Sequence, residues 1–341
     1  MNKPQFTVLI EGAGTATCIS LLKGLAVQDE FSVRTVVIDM DDSNAGRYMA
    51  DAFYATVGSK DDAYVDTVLD ICAKEKVDLY IPIIDYGFRK LAAAKTRFAE
   101  AGVYLMIADD AAMDVCADKY NTYLFFKENN IPTAETWEAV SNGDFSSVQY
   151  PVFIKPRTDG RASLDVYVIN NEEELRFHTK GNDNYVMQQL IVGREFTVDC
   201  LSSLDGTELV GAVVRERTET KAGVSVKSRM VEPALTEIIS GYIKTIVETL
   251  KIPGICNIQG FIDENNNVYI SEINPRSAGT HVFSIQAGLN SIHRLLQMKH
   301  GLSPELVRSQ ITINPNLKMI RFWDELFIDG ETTSTWPPLL K

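Results

Sequence analysis

Residues 256–276 read CNIQGFIDENNNVYISEINPR and predict two β-strands joined by a turn. Polar and apolar side chains alternate on both sides of the turn-forming run DENNN. Because alternate side chains of a strand point to the same face, Ile270, Glu272 and Asn274 are expected on one face, with the last two about 7 Å apart. A carboxylate and a carboxamide placed in this way can hold divalent cations through hard oxygen atoms.

The same hairpin carries two further candidate groups, one for the metal ions and one for an anionic ligand. Gln259 on the first strand adds a third oxygen ligand, and Arg276 adds a forked cation at the edge of the site. Metal ions, nucleotide phosphates and an arginine together suit phosphoryl transfer to a carboxylate. The alternative is an ordinary antiparallel hairpin with a solvated polar face.

The order Gln–Glu–x–Asn–Pro–Arg on paired strands resembles the metal-binding strands of ATP-grasp enzymes, most closely the carbamoyl phosphate synthetase large subunit and its small single-unit relatives. The resemblance implies ATP and two Mg²⁺ ions, with Mn²⁺ as an alternative, held by Gln259, Glu272 and Asn274. It also implies a mixed α/β and α+β protein. In such a protein a Rossmann-like domain precedes an ATP-grasp fold made of a lid subdomain and an antiparallel-sheet catalytic subdomain.

The composition is typical of a soluble globular protein. The 341 residues include 33 basic and 46 acidic side chains, for a net charge of −13, which argues against nucleic acids and anionic membranes as partners. No apolar run reaches the length of a membrane span, and the first residues, MNKPQFTVLIEGAG, lack a signal-peptide pattern. Five scattered cysteines without a CxxC motif favour reduced thiols, so we expect a cytoplasmic protein.

The chain opens with a strand, a glycine turn, a helix and a second strand ending in Asp39, a pattern typical of a Rossmann-type fold. Gly12 and Gly14 permit a tight turn, but the third glycine of the dinucleotide fingerprint is missing. An NAD-dependent oxidoreductase is therefore a weaker alternative. Further along, Asp85 follows a buried strand, where it can cap the next helix or orient an acceptor amine.

Two lysines and a loop of small residues are candidates for phosphate binding. The resemblance directs Lys119, of an Asp-Lys pair at a helix start, at nucleotide phosphate. Lys155 ends a strand before the loop RTDGRASL, in which Gly160 and Ser163 offer backbone N–H and hydroxyl donors. With a single glycine, this loop is expected to be stiffer than is usual in the family. The alternative is a plain hairpin turn.

The stretch 185–199 predicts a strand, a turn and a second strand. The resemblance makes this stretch the hinge between lid and body, with adenine against its backbone. The implied nucleotide contacts are Gln188, Gln189, Leu190 and Ile191, with Glu195 at the ribose hydroxyls.

The polar run 215–229, RERTETKAGVSVKSR, is too polar for a core strand and predicts an exposed loop. The resemblance places such a loop over the carboxylate and phosphate site. Arg215 and Lys227 would then bind anions, and we single out Arg215, with Arg276, as a catalytic candidate.

The motifs divide the chain into four expected parts. These are a Rossmann-like domain (1–112), a lid subdomain (113–190), a catalytic subdomain (191–310) and a C-terminal extension without an assigned role (311–341).

The motif order predicts an ATP-dependent carboxylate–amine ligase that forms an amide or peptide bond through an acyl phosphate and releases ADP and phosphate. The expected partners are a small carboxylate and an amine, amino acids among them, and a homodimer is compatible with the pattern. Two alternatives within the fold stay open: carbamate or carbamoyl phosphate chemistry from bicarbonate, and a catalytically silent nucleotide-binding protein.

Overall fold

The computed structural model of the protein describes residues 3–140, 143–160, 165–221, 223–330 and 332–335. It contains a parallel α/β unit, a small antiparallel sheet with one helix, and a large antiparallel sheet flanked by helices. These layers confirm the expected fold class. The limits of the four sequence segments stay predictions.

The N-terminal unit is a five-stranded parallel sheet in the order β3-β2-β1-β4-β5. Its strands are β1 (Gln5–Glu11), β2 (Ser32–Asp39), β3 (Ala52–Ala55), β4 (Leu79–Ile81) and β5 (Tyr104–Leu105). Its helices are α1 (Ala16–Ala26), α2 (Tyr64–Glu75), α3 (Phe88–Ala93), α4 (Lys95–Glu100) and α5 (Asp110–Ala117). Short 3₁₀ turns cover Gly46–Tyr48 and Asp85–Gly87.

The turn between β1 and α1 is held from within the protein. Gly12 has a φ of +68°, which favours glycine, and the Gly14 N–H donates to Asp39 Oδ2 at 2.9 Å. Asp39 stands where the acid of a dinucleotide fold would bind a ribose. Because the Asp39 carboxylate already accepts a bond from this turn, the turn itself accounts for Gly12 and Gly14.

The lid is a four-stranded antiparallel sheet in the order β6-β9-β7-β8. It is preceded by helix α6 (Lys119–Glu128). Its own elements are β6 (Thr136–Glu138), β7 (Val152–Pro156), β8 (Tyr167–Ile169), α7 (Glu172–Thr179) and β9 (Tyr185–Gln189). The lid has a separate small core, to which Val152, Ile154 and Met187 belong. Phe125 and Phe126 of α6 instead pack into the core of the large sheet.

The large sheet has six antiparallel strands in the order β14-β13-β10-β11-β12-β15. They are β10 (Gly193–Ser202), β11 (Leu209–Lys221), β12 (Val224–Met230), β13 (Ile255–Asp263), β14 (Val268–Asn274) and β15 (Lys318–Ile320). The associated helices are α8 (Pro233–Leu250), α9 (Val282–Ala287), α10 (Ser291–Lys299) and α11 (Pro304–Ser309). A terminal hairpin pairs β16 (Leu326–Asp329) with β17 (Thr332–Thr335).

The expectation of a loop over 215–229 was wrong. This run forms the end of β11 and most of β12, which pair with each other in the large sheet. Its polarity has a different cause, because Arg215 and Arg217 point from β11 toward acidic partners on β10. Charged side chains are tolerated inside a strand when such partners neutralise them.

One hydrophobic core joins the N-terminal unit to the large sheet. We call it the shared core; it combines residues of β1 and α1, such as Val8 and Leu21, with Leu201, Ile255 and Leu295 of the large sheet and α10. The N-terminal unit is therefore fixed against the large sheet, and the loops at its strand ends face that sheet.

None of the helices in the described parts of the chain combines the length and the apolar character that a bilayer crossing requires.

Candidate functional site

Strands β13 and β14 pair as the sequence of residues 256–276 predicts, with Gln259 directly opposite Glu272 and Asn257 opposite Asn274. A β-bulge separates these pairs from the next one, in which Gly260 lies opposite Ile270. The bulge breaks the alternation, so that Ile270 packs in the core and does not share the face of Glu272 and Asn274 as predicted.

Polar side chains extend across the same face onto the neighbouring strands. Gln259 lies opposite Thr197 of β10, and Thr197 lies opposite Arg215 of β11. Asn257 donates to Thr197 Oγ1 at 2.6 Å and to Asp199 Oδ1 at 3.2 Å. The face is therefore a connected polar surface that spans four strands.

Glu272 is the one carboxylate among the three predicted metal ligands. Among the described residues it accepts no hydrogen bond and forms no ion pair, whereas the oxygens of Gln259 and Asn274 lie 3.5 and 3.4 Å from Arg217 Nη1 and Arg276 Nη2. The described ranges contain no cluster of three or more His, Cys, Asp or Glu side chains that could hold a metal ion. A metal at this face would therefore have Glu272 as its one carboxylate ligand, with the carboxamides of Gln259 and Asn274. A half-buried carboxylate without a protein donor, beside two carboxamides, fits Mg²⁺ that takes its remaining oxygens from phosphates and water.

Lys155 and Lys119 approach this face from the lid side. Lys155 lies on β7, and burial lowers the pKa of its ammonium to about 8, helped by Lys119, while Glu272 opposes the shift. Lys119 begins α6, and its Nζ lies 3.2 Å from the point where a Cβ on Gly160 would stand. The two ammonium groups and Gly160 thus lie together, and their role at phosphate stays a prediction.

The helix start at Lys119 is held by its neighbour. Asp118 caps α6 by accepting from the N–H groups of Tyr120 and Asn121, and its second oxygen accepts from Arg157 Nε at 2.7 Å. The Lys119 N–H donates to the Arg157 carbonyl at 3.0 Å. These bonds fix the end of β7 to the start of α6, so that both lysines face one space.

The predicted hinge residues are the last two of β9, Gln188 and Gln189, and the next two, Leu190 and Ile191, which lead toward β10. Gln188 is buried, and its amide nitrogen donates to Thr136 Oγ1 at 2.7 Å, so its side chain is tied to the lid sheet. Gln189, Leu190 and Ile191 line the cleft. The Gln189 N–H already donates to the Glu135 carbonyl at 2.8 Å, and the adenine contact of this stretch stays a prediction.

Glu195 is paired with an arginine that the sequence analysis did not single out. Arg217 Nη1 donates to Glu195 Oε1, and Arg217 Nε donates to Ser225 Oγ at 3.2 Å. Burial raises the pKa of Glu195, with Glu272 adding to the shift and Arg217 opposing it. The sequence contained a signal for Arg217 as a site residue, because Arg215 and Arg217 stand two residues apart and share a face in any strand.

Arg215 is buried at the base of the site, with 1% of its surface exposed. It donates to Asp199 Oδ2 at 3.0 Å and to Thr280 Oγ1 at 2.5 Å. Burial alone would raise the pKa of Asp199, but Arg215 and His281 together hold it well below its usual range. The pair is charged, and it positions the Thr280 hydroxyl at the cleft wall.

Arg276 joins the large sheet to the N-terminal unit. Its Nε and Nη2 donate to the two oxygens of Asp85 at 2.8 and 2.9 Å, in the forked geometry that arginine makes with carboxylates. Asp85 makes no capping bond with its side chain, so of the two expected roles the cap is wrong. Asp85 orients a cation of the site instead.

A buried acid holds the Asp85 loop. Glu11, which is 4% exposed, accepts from the backbone N–H groups of Ile83 and Ile84 at 2.9 Å each and from the Tyr64 hydroxyl. Burial raises the pKa of Glu11. These bonds set the backbone directly before Asp85 and so fix the place of Arg276.

One cleft of about 950 Å³ lies between the lid, the large sheet and the N-terminal unit. The predicted site residues that line it are Lys119, Lys155, Gly160, Gln188, Gln189, Leu190, Ile191, Glu195, Arg215, Gln259, Glu272, Asn274 and Arg276. Ser163 lies outside the described residues. Lining residues that the sequence analysis missed include Thr17, Arg217, Asn257 and Thr280.

Two family models match the chain. The model described as PylC-like, N-terminal domain, matches residues 8–106, and the model described as ATP-grasp in the biosynthetic pathway with Ter operon matches residues 182–318. The second match contains the hinge, five of the six strands of the large sheet and all three predicted metal ligands.

A curated relative is the carbamoyl phosphate synthase large chain of Clostridium acetobutylicum. It is 26% identical over 235 residues, which are 64% of this chain and 21% of that protein. The chain thus spans about a fifth of the length of the relative that it matches.

Solved structures share the fold. The biotin carboxylase domain dimer of Hydrogenobacter thermophilus 2-oxoglutarate carboxylase, in complex with MgADP, ADP and bicarbonate, has a TM-score of 0.71 at 16% identity, over 90% of this chain and 72% of that one. N5-carboxyaminoimidazole synthetase from Staphylococcus aureus, complexed with ADP, has a TM-score of 0.68 at 18% identity, over 84% of this chain and 75% of that one. At these identities the likeness speaks for the fold alone, and the family model identifies residues 182–318 of this chain as an ATP-grasp region.

Proposed function

We propose that the protein is an ATP-dependent carboxylate–amine ligase that forms an amide or peptide bond through an acyl phosphate and releases ADP and phosphate. The observation that carries the proposal is the cleft itself. It brings two lysines, an unpaired carboxylate flanked by carboxamides, and two oriented arginines to one space. Phosphoryl transfer needs little more than such positioning and charge neutralisation.

In this proposal the nucleotide lies along the lid side of the cleft. Lys119 and Lys155 neutralise the phosphates, and the backbone of 189–191 receives adenine. Arg217 holds one oxygen of Glu195 and leaves the other for a ribose hydroxyl. Because the lid has its own core, it can close on the nucleotide and exclude the water that would hydrolyse an acyl phosphate.

Gln259, Glu272 and Asn274 would hold Mg²⁺, two ions in the family's arrangement. Bound there, Mg²⁺ would supply neutralisation of the negative charge on the nucleotide phosphates. Mn²⁺ would fit the same oxygen ligands.

The proposed reaction has two steps, formation of an acyl phosphate and its reaction with the amine. A carboxylate oxygen of the acid attacks the γ-phosphorus, the bond to the ADP oxygen breaks, and acyl phosphate and ADP form. The amine nitrogen then attacks the acyl carbon, phosphate leaves, and the amine loses its proton. Arg276, oriented by Asp85, binds the acid and steadies negative charge in both steps.

The test is release of ADP from MgATP in the presence of pooled amino acids and small acids. We expect release that depends on an acid and an amine together, with a product whose mass equals their sum less one water. Tight binding of ATP without ADP release from any pool would instead support the silent nucleotide-binding protein.

Bicarbonate as the acid is a second candidate, favoured by the match to a carbamoyl phosphate synthase and by the bicarbonate in the Hydrogenobacter complex. ADP release that bicarbonate alone stimulates would select it. A homodimer, as in the Hydrogenobacter domain, is a further proposal that size-exclusion chromatography with light scattering tests.

A further inference from the structure

Arg217 stands between the carboxylate proposed for ribose and the side chains proposed for metal. It projects from β11 into the cleft, whose lining also includes Glu195, Gln259 and Glu272, and 9% of its side chain is exposed. Its Nη1 donates to Glu195 Oε1 and lies 3.5 Å from Gln259 Oε1. One guanidinium therefore reaches the acid and the carboxamide at the same time.

The guanidinium is held in this place by contacts of its other nitrogen atoms. Arg217 Nε donates to Ser225 Oγ at 3.2 Å, and Nη2 donates to the Gly223 carbonyl. Ser225 lies on β12, which pairs with β11, and Gly223 directly precedes that strand. A planar guanidinium whose three nitrogen atoms are all bonded has a fixed direction. Arg217 is therefore a permanent positive charge in the cleft wall.

Gln259 is turned toward Arg217 by a bond at the other end of its carboxamide. Its amide nitrogen donates to Asn257 Oδ1 at 3.2 Å, and the Asn257 amide nitrogen donates to Thr197 Oγ1 at 2.6 Å and to the Val198 carbonyl at 3.0 Å. These bonds leave the oxygen of Gln259 on the side of Arg217 Nη1. The oxygen atom that is predicted to bind metal is therefore the one beside the guanidinium.

The charge of Arg217 acts on two carboxylates. Burial raises the pKa of Glu195, Arg217 opposes that shift, and the charge of Glu272 adds to it. Burial lowers the pKa of Arg217, whereas Glu195 and Glu272 both favour its charged form. If Arg217 were absent, these two carboxylates and the Gln259 oxygen would offer the ligands that a hard divalent cation prefers. Arg217 supplies the positive charge that a metal ion would otherwise bring.

We propose that Arg217 keeps divalent metal from binding between Glu195 and Gln259 while the nucleotide is absent. An ion on Gln259 Oε1 would lie within about 6 Å of Arg217 Nη1, because a Mg²⁺–oxygen bond is about 2.1 Å long, and like charges at that distance repel. The phosphates of ATP outweigh this repulsion, so that metal enters with the nucleotide and Glu195 stays available for a ribose hydroxyl. The inference rests on the proposed function and concerns the order in which metal and nucleotide reach that site.

Binding of Mn²⁺ to the protein without nucleotide tests the proposal, with the free ion measured by electron paramagnetic resonance. Mn²⁺ accepts the same oxygen ligands as Mg²⁺. We expect the wild-type protein to bind Mn²⁺ weakly, and Arg217→Gln, which removes the charge, to bind it at least about tenfold more tightly. Arg217→Lys keeps the charge and should bind like the wild type. Glu195→Gln added to Arg217→Gln should abolish the gain, because it removes the second carboxylate.

Arg229→Gln is the matched control. Arg229 also pairs with a glutamate of the large sheet, Glu216, but it lies outside the described lining of the cleft. The Mn²⁺ affinity of this variant should equal that of the wild type. An Arg217→Gln variant that binds Mn²⁺ no more tightly than the wild type, or a gain that persists after Glu195→Gln, would overturn the proposal.

A second variant covers the case in which Arg217→Gln does not fold. Arg217→Met keeps much of the aliphatic stem without the charge, and the same gain in Mn²⁺ affinity is expected of it. Failure of the ligase proposal is separate, since it appears as absent ADP release with every acid and amine, whatever the affinity of the free protein for Mn²⁺.

Discussion

At the scale of single residues, Glu272 is the carboxylate on which the proposed metal site depends. Glu272→Gln keeps the size of the side chain and removes the charge, so we expect turnover to fall by at least about 100-fold with the fold retained. ADP release and thermal unfolding measure the two effects. Glu264→Gln, in the exposed turn of the same hairpin, is the control and should retain full activity. Unchanged turnover in Glu272→Gln would exclude the metal assignment.

Lys155 should make nucleotide binding dependent on pH. The pKa of its ammonium in the free protein is lowered to about 8, so the side chain is charged below that pH and neutral above it. Phosphates bind the charged form, and the affinity for ATP should therefore fall above about pH 8, by at most about tenfold per pH unit. Calorimetry from about pH 7 to about pH 9.5 measures the trend. Lys155→Arg stays charged, so its affinity should vary little over this range.

The identities of site residues were easier to predict from sequence than their partners were. Glu272, Asn274 and Arg276 form a local motif, and their spacing is visible in any strand. The Asp85–Arg276 pair joins positions 191 residues apart, and such a pair depends on how the units dock.

At the scale of elements, the bulge between β13 and β14 decides which side chains face the cleft. A strict alternation placed Ile270 beside Glu272, and the bulge moves it into the core. The sequence held a signal that was not used, because an isolated glycine within a strand pattern, here Gly260, often marks a bulge or a close backbone approach. The run 215–229 was misjudged for a related reason. Polarity alone does not separate a loop from a strand that lines a charged cleft.

Gly260 is where the bulge can be tested. A Cβ there would lie 2.3 Å from the Tyr269 carbonyl and 2.5 Å from the Phe196 ring, so Gly260→Ala must displace one of them. We expect a loss of about 1–3 kcal/mol in the free energy of unfolding, measured by urea denaturation, together with lower turnover. Gly241→Ala, at an exposed position within α8 with nothing in reach of a Cβ, should instead stabilise the protein by about 0.5–1 kcal/mol. If Gly260→Ala and Gly241→Ala changed the free energy of unfolding equally, the bulge at Gly260 would not have the structural role given to it here.

At the scale of the whole molecule, the shared core and the lid core are separate. The shared core couples the N-terminal unit to the large sheet, whereas the lid core is a small cluster of its own.

We expect the free energy of the opening that permits amide exchange to be lower in the lid strands than in β10 and β13, by about 2 kcal/mol or more. Hydrogen exchange, with Met187 and Val198 as reporters, measures this difference. Equal protection of the two reporter amides would mean that the lid and the large sheet unfold as one unit. Addition of MgATP should raise protection in the lid.

The Asp85–Arg276 contact limits how this chain can be recombined with its relatives. A chimera that keeps the large sheet and takes its first hundred residues from another family member inherits whichever side chain that donor presents to Arg276. A donor with an acid at that place would keep the guanidinium in its present direction. A donor with a neutral residue would free it, and the exchanged module would then change the direction of the side chain that is proposed to bind the acid, although no residue of the sheet had changed.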